Sequence, residues 1–544
     1  VSGRAVGRVV IVGAGPTGVT AATLLAQYGV DCVLLDRWTG VYPQPRAVHL
    51  DDEIYRVIAR LGIADEFAVI SRPTLGLRLL DRRSRVLAEF TRDTSRSDNG
   101  FPQANMFDQP ELETLLRANL SRYPNVQLRG NAEVIAVADR EGRVRVTYTD
   151  RGGGQLHEVD ADYVLGCDGA NSTVRAQIGS SMRDLNFEQR WLVADVSSEA
   201  DLRQWDGVHQ VCDPERAGTY MRIGPTRYRW EFQLLAGESA DQFASLTALR
   251  SLISPWTTQV PDSELTVQRV TEYTFRAQIA DRWRRGNTFL LGDAAHLTPP
   301  FVGQGMGAGI RDAMNLAWKI AAVCHGTLAA DILESYEQER KPHTLLMIRL
   351  ALNVGRAMTQ GGRPGDLIRR LVLPRLRLIP GVRDKVVDSA TPPLNASALV
   401  SKSLRSHRLP GTLCPNPLLP DGQRLDDALG GGFALIALHR PPPTDDMTLR
   451  HLGAVVLVAH PGSPLARWLR RGAATAVLVR PDRTVMCAGR DVATLCARAA
   501  QLLRRPGDDE RHPHGVQDAV ADRAQHRAQA AATVTAHDDK LRLL

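Results

Sequence analysis

The chain has 544 residues, 43% of them hydrophobic and 23% charged, with a formal charge of +7; at about 150 residues per domain this is two to four domains, each able to bury its own core, so a peptide or disulfide-stapled scaffold is excluded. The positive balance does not read as a nucleic-acid surface, because lysine occurs only at Lys319, Lys341, Lys385, Lys402 and Lys540 and no basic run is interleaved with aromatic residues. No apolar run reaches the roughly 18 to 20 residues of a membrane helix. Cys32, Cys167, Cys212, Cys324, Cys414, Cys487 and Cys496 form no C-x-x-C pair and no zinc spacing, which points to a reducing cytoplasm and to no metal site.

Arg8 to Val12 is too β-branched for anything but a strand buried on both faces. Gly13-Ala14-Gly15-Pro16-Thr17-Gly18 follows, then a helix-compatible stretch from Val19 to Tyr28 and a second buried strand from Val30 to Leu35. Together they make one βαβ unit. From about 72 to 100 and from 181 to 275 the pattern alternates, as in Thr219-Tyr220-Met221-Arg222 and Arg229-Trp230-Glu231-Phe232-Gln233-Leu234-Leu235, which predicts antiparallel strands. Strands at Tyr163 to Gly166 and Thr288 to Leu291, and a long helix from about Gly305 to Val323, return to the first module. A linker is predicted at 391–412. Beyond it, short apolar strands at Phe433 to Leu438, Ala454 to Ala459 and Ala474 to Val479 predict a small α/β domain, and the stretch after about 505 has no periodicity on which to place structure.

The glycine spacing carries chemistry. Gly13 serves a tight turn, Gly15 the approach of backbone to a pyrophosphate, and Gly18 close packing of helix on strand. The helix N-terminus offers its unpaired N–H groups to phosphate. Asp36, at the end of the next strand, can accept both hydroxyls of a ribose. Two further segments, Cys167-Asp168-Gly169-Ala170-Asn171-Ser172-Thr173-Val174-Arg175 and Gly292-Asp293-Ala294-Ala295-His296, each place an Asp at a strand's carboxyl end, where open α/β sheets bind ligands. His296 is read as a local hydrogen-bonding residue that holds its loop.

With these three segments the chain resembles the FAD-dependent aromatic hydroxylases, the single-component flavoprotein monooxygenases. Within them it is most similar to the group of 3-(3-hydroxyphenyl)propionate hydroxylases, on Pro45-Arg46-Ala47 with Asp51-Asp52-Glu53, Gln210-Val211-Cys212-Asp213-Pro214, Trp230-Glu231-Phe232, and Gly303-Gln304-Gly305-Met306 running into Ile310-Arg311-Asp312-Ala313. The resemblance implies a Rossmann-like FAD-binding domain with an inserted antiparallel-sheet substrate domain and a C-terminal thioredoxin-like domain without C-x-x-C. Its bounds are 1–71, 101–180 and 276–390 for the first, 72–100 and 181–275 for the second, 413–505 for the third and 506–544 for a flexible tail.

The resemblance further implies FAD as cofactor, held by Gly13, Gly15, Gly18, Asp36, Arg37, Arg46, Gln109, Asp168, Gly292, Asp293, Pro299, Gly303, Gly305, Met306 and Gly307. NADH or NADPH serves as a transient co-substrate and O2 as oxidant, with a flavin C4a-hydroperoxide passing one oxygen to a phenol. Arg175 belongs to the segment associated with both FAD and the pyridine nucleotide. Two positions depart from the family pattern: Asp36 stands where a longer Glu is usual, and Gly307 where many relatives carry Asn. The run from Gly303 to Gly309 would let backbone approach a planar ring, with a helix N-terminus stabilising the reduced, anionic form.

Substrate contacts are expected from the inserted sheet, with His209, Tyr220, Arg222 and Trp230 as catalytic candidates: His or Tyr to move a phenol proton, Arg to hold an oxygen, Trp as a wall. The partner is a small aromatic substrate, with no nucleic acid and no membrane span, and a homo-oligomer is compatible. Alternatives are a same-fold oxygenase acting on a polycyclic natural product, a non-enzymatic FAD-binding protein, and a flavin halogenase, which its need for a lysine disfavours, since none precedes Lys319.

Overall fold

Val9, Val10, Ile11 and Val12 offer no polar face, and the strand Arg8–Val12 is buried on both sides at the inner part of a six-stranded sheet. The spatial order is Arg284–Arg285, Thr288–Leu290, Tyr163–Gly166, Arg8–Val12, Asp31–Leu35 and Val126–Arg129. The last five run parallel, so their carboxyl ends gather on one edge. The computed structural model describes residues 8–42, 47–359, 391–402 and 408–503; Arg46, the predicted tail and part of the predicted linker lie outside them. The fingerprint helix Pro16–Gln27 crosses between the first two strands and packs on the long helix Gly305–Cys324. The two approach so closely that a Cβ on Gly309 would come 2.2 Å from Thr17 Oγ1.

An eight-stranded sheet stands beside this module, in the order His296–Leu297, Thr266–Ala280, Met182–Ser197, Arg227–Gln233, Gly218–Arg222, Val208–Val211, Gly76–Leu80 and Val86–Thr91. Its neighbours are antiparallel except for Val208–Val211 against Gly76–Leu80. The strand Thr266–Ala280 runs unbroken through the boundary expected at 276, and its end pairs Ile279 with His296, which draws the end of the G-D segment into the eight-stranded sheet. The stretch 181–275, expected as strands alone, also contains the helix Leu246–Thr257, started by the Ser245 hydroxyl accepting from Ala248 N. This helix covers one face of the sheet, burying Leu249, Ile253 and Trp256 among Tyr220, Tyr228, Trp230 and Phe232.

The C-terminal part has a four-stranded sheet ordered Val455–Val458, Ala434–Ala437, Ala476–Val479, Val485–Gly489. The first pair is parallel and the other two antiparallel, with the helices Pro443–His451, Pro464–Arg471 and Val492–Leu503 in a β-α-β-α-β-β-α order. The stretch expected as a linker is in part packed: Leu394, Leu399 and Val400 are buried and Ser397 Oγ donates to Glu339 at 2.6 Å. Docking is ionic. Glu339, on the long helix Ser335–Thr359, accepts from Arg480 Nη1 at 2.8 Å and Nη2 at 3.0 Å and from Lys319 Nζ at 2.9 Å, all three side chains being 0% exposed. Asp426 likewise takes Arg56 and Arg483, at 2.6 and 2.8 Å.

Burial by itself would raise the carboxyls of Glu339 and Asp426, but the guanidinium groups beside them prevail. Glu339 is held well below the ordinary carboxylate range and Asp426 at about 2. Their stabilisation is therefore complete above the unfolded value of about 4 and is lost as pH falls through the folded value. Replacing Glu339 by Ala leaves the buried Lys319 without a carboxylate and Arg480 with Asp482 alone, at a cost of about 3–5 kcal/mol. Urea midpoints should fall accordingly for Glu339→Ala at pH 7, and for the unsubstituted protein as pH drops from about 4 towards 2; an unchanged midpoint in either case contradicts this account.

Candidate active site

The three glycines of the fingerprint meet three different surroundings. Gly13 has φ +101° and its missing Cβ would lie 2.4 Å from Cys167 O, so strand end and neighbouring strand touch through it. A Cβ on Gly18 would lie 1.9 Å from Gly13 O, which closes the helix onto the loop. Gly15, the N-cap of the fingerprint helix, has nothing within 4 Å of that position. The open glycine is thus the one at the amino end of the helix, where backbone N–H groups are left for a phosphate. Gly169 is equally open, and Gly305, the first residue of its helix, has only Thr298 O at 4.0 Å. No side chain lies within 4 Å of the Cβ position at Gly15, Gly169 or Gly305, so the backbone of all three segments is open in the way a dinucleotide needs.

The segments are bound to one another by buried polar groups. Asp168 accepts from Ser172 Oγ and from Val174 N, holding the start of Thr173–Gln177, and burial raises its carboxyl. Arg175 donates to Ala170 O at 2.8 Å and Ala294 O at 3.0 Å, which ties the D-G segment to the G-D segment. Asp312 takes Gly292 N at 3.1 Å, His296 Nε2 at 2.7 Å and Arg340 Nε at 2.8 Å. Its neighbour Arg311 donates to Asp51 at 2.6 Å and Gln304 at 2.8 Å and pairs with Glu53 at 2.9 Å. Adjacent residues of one helix therefore fix the G-D loop on one side and the Gly303-Gln304-Gly305 turn on the other.

The remaining cofactor candidates fall as follows. Asp36 is 6% exposed and its carboxylate accepts from Ala14 N at 2.6 Å and Trp38 N at 2.8 Å and pairs with Arg117 at 3.3 Å. Arg37 is exposed, its guanidinium 5.8 Å from the Trp38 ring. Gln109 accepts from Ala47 N and donates to Glu113, both at 2.6 Å, setting the loop that leads on from the undescribed Arg46. Gly292 and Gly303 both have φ +61°, a conformation suited to glycine. Pro299 is buried, Asp293 and Met306 are part-exposed, and Gly307 backs onto Ile54 and Arg311. A residue missed from the sequence, His49, lies under Gly303, where a Cβ would come 2.9 Å from its Nδ1. Burial and Arg92 lower its pKa to about 4, so it is neutral there.

The sheet candidates require a correction. His209, Tyr220 and Trp230 share one face, since His209 pairs with Tyr220 and Tyr220 with Trp230. That face is covered by Leu246–Thr257: His209 Nδ1 accepts from Trp256 Nε1 at 3.0 Å, and the Tyr220 and Trp256 rings stack at 5.7 Å. Arg222 caps its own turn, donating to Gly224 O and Pro225 O. None of the four faces the cradle. The opposite face does: Trp191 meets Phe301 of the cradle loop at 6.2 Å, Met221 packs with Val48 and Met106, and Arg227 pairs with Asp108.

This cradle-side face bears Asp195, Arg229, Glu231, Thr219 and Gln210, with Val193 opposite Glu231. Asp195 holds Arg229 by two bonds of 2.6 and 3.0 Å and Arg269 at 3.1 Å, and Thr219 Oγ1 donates to Gln210 Oε1 at 3.0 Å. The signal for it was present in the alternation Arg229-x-Glu231-x-Gln233 against Tyr228-x-Trp230-x-Phe232. Which set faces the cofactor depends on a helix that the sequence reading did not place.

An open dinucleotide cradle beside a sheet with a polar inner face is the arrangement of a dinucleotide-dependent enzyme, and the comparisons specify the class. Residues 7–351 match the family model described as FAD binding domain, and the chain belongs to that family, within the FAD-dependent aromatic hydroxylases. It is 33% identical to 3-(3-hydroxy-phenyl)propionate/3-hydroxycinnamic acid hydroxylase 2 of Burkholderia vietnamiensis, over 88% of this chain and 92% of that protein. It is 31% identical to a probable NADH-specific resorcinol 4-hydroxylase of Rhodococcus jostii, over 92% and 96%. The crystal structure of aklavinone-11 hydroxylase with FAD and aklavinone shares the fold, with a TM-score of 0.75, 24% identity, and coverage of 92% of this chain and 99% of that one. The protein is an FAD-dependent monooxygenase with NAD(P)H as electron donor.

Since Gly15 and Gly305 face open space, Gly15→Val and Gly305→Val should fold normally, by far-UV circular dichroism, yet bind FAD about 10- to 100-fold more weakly, the equivalent of 1–3 kcal/mol of overlap. Gly18→Ala, colliding with backbone, should fail to accumulate as folded protein. Undiminished flavin content in both valine variants contradicts the assignment of these openings to the cofactor.

Proposed function

We propose that the protein hydroxylates a phenolic ring held between the cradle loop and the polar face of the eight-stranded sheet. The balance is ArH + O2 + NAD(P)H + H+ giving ArOH + NAD(P)+ + H2O. When bound, FAD supplies the redox chemistry, taking hydride from the nicotinamide and activating dioxygen. The chain's own residues bind and shield. Gly13, Gly15 and the helix start at Pro16 meet the pyrophosphate, Asp36 the ribose, and Gly169, Asp293, Pro299 and the Gly303–Gly307 turn the remainder of the cofactor. Arg46 and Gln109 belong to the same reading. The observation that carries it is the coincidence of open backbone at Gly15, Gly169 and Gly305 with a sheet face that keeps charged groups inside.

We read the eight-stranded sheet as the substrate module and the C-terminal β-α-β-α-β-β-α unit as a thioredoxin-like domain. Lacking a C-x-x-C, it has no dithiol role to play; its interior salt bridges suit packing. The seven free cysteines support placement in the reducing cytoplasm. Among the described residues no helix is long and apolar enough to cross a membrane.

The test is a phenol panel containing resorcinol, 3-(3-hydroxyphenyl)propionate and polycyclic phenols, with NADH and NADPH. The purified protein should be yellow, at least one phenol should accelerate NAD(P)H oxidation, and its product should gain one oxygen by mass spectrometry. A colourless protein that FAD does not reconstitute, or hydrogen peroxide as the sole product with every phenol, overturns the reading.

A further inference from the structure

Phenol hydroxylation needs an electron-rich ring, and a phenolate is far richer than a phenol, so the site has to remove or share the hydroxyl proton. The candidates singled out in the sequence cannot do this, since His209 and Tyr220 lie under the helix Leu246–Thr257 on the far face. On the cradle side, Glu231 stands in the middle of the strand Arg227–Gln233, between Val193 of one neighbouring strand and Thr219 of the other. It is part-exposed on the face that carries Trp191 and Met221 towards the cradle, although its neighbours are buried: Val193 is 1% exposed and Arg229 1%. Among the described residues neither a hydrogen bond nor an ion pair holds its carboxyl, whereas every other charged group of this face is committed. Arg229 and Arg269 are both taken by Asp195, and Arg227 by Asp108. A carboxylate set among buried neighbours is ordinarily paired, and one left unpaired on the cradle side of the sheet is available to a ligand there.

We propose that Glu231 accepts the proton of the substrate's phenolic hydroxyl, and so selects substrates that present a free, neutral hydroxyl to the sheet; the inference rests on the phenol-hydroxylase reading above. In this step the phenolic O–H bond breaks, its electron pair stays on the substrate oxygen, and a new O–H bond forms on the Glu231 carboxyl. The step conserves charge, the carboxylate becoming neutral as the phenol becomes its anion. The charged groups near enough to act on Glu231 are Arg229, which favours its ionised form, and Asp195, which opposes it. Burial outweighs both and pushes the carboxyl up from its ordinary value, towards that of an effective base.

The experiment uses the holoenzyme and 4-nitrophenol, whose acid and anion differ in colour. At about one pH unit below the probe's own pKa, the unsubstituted holoenzyme should bring out the phenolate absorption on binding. Glu231→Gln, which keeps shape but cannot take a proton, should bind the probe colourless, and Glu231→Asp should restore part of the signal. With resorcinol, Glu231→Gln should lower the hydroxylation rate at neutral pH by about 100-fold or more and regain rate as pH rises towards the phenol's own ionisation. Equal phenolate signals in the unsubstituted and Gln proteins, or no signal in the unsubstituted holoenzyme, overturn the inference. If the phenol panel yields no hydroxylated product while the nitrophenol difference persists, it is the reaction assignment that fails and not the role of Glu231 as a proton acceptor.

Discussion

The adjacent pair Arg311 and Asp312 is the constraint on which the rest of the molecule depends. Both are buried near the start of one helix, and successive helical residues point about 100° apart, so they reach in different directions. Arg311 gathers Asp51, Glu53 and Gln304, while Asp312 gathers Gly292, His296 and Arg340. Stretches separated by hundreds of residues are thereby held in one register around the cradle. Charges buried at this depth persist only when each is matched. Here the burial of Asp51 and Asp312 is offset by the guanidinium groups beside them, which keep both carboxyls below their ordinary range.

The same physical device attaches the C-terminal unit. Glu339 sits on the helix that also supplies Arg340 to Asp312, so the anchor of the C-terminal unit and the anchor of the G-D loop are neighbouring residues. Cys414, Cys487 and Cys496 of this unit are all free thiols, and burial pushes each of them up.

The eight-stranded sheet divides its chemistry by face. One face is aromatic and closed by a helix; the other turns Asp195, Arg229 and Glu231 towards the cradle, with Trp191 against Phe301. Because the side-chain period of a strand is two, a single residue separates the structural Trp230 from the cradle-side Glu231. An apolar, helix-covered layer therefore backs the strand that carries the polar groups of the cradle side.

The sequence by itself determined the dinucleotide module. The strand Arg8–Val12, the glycines at 13, 15 and 18, and the two strand-end Asp segments are local patterns whose meaning follows from backbone sterics and helix ends, and a resemblance in several such segments named the cofactor. It also placed three of the four C-terminal strands, since apolar runs of that length rich in Val, Leu and Ile and bounded by turn residues suit short buried strands. What it could not decide was orientation. Alternation in Arg227–Gln233 shows that two faces exist, but which one meets the cofactor is set by a covering helix some twenty residues away in the chain and by ring contacts between Trp191 and Phe301. The pairing of Arg311 with Asp51 or Arg480 with Glu339 was likewise invisible, because a charge in a sequence carries no address for its partner; only the folded chain brings the two within hydrogen-bond reach.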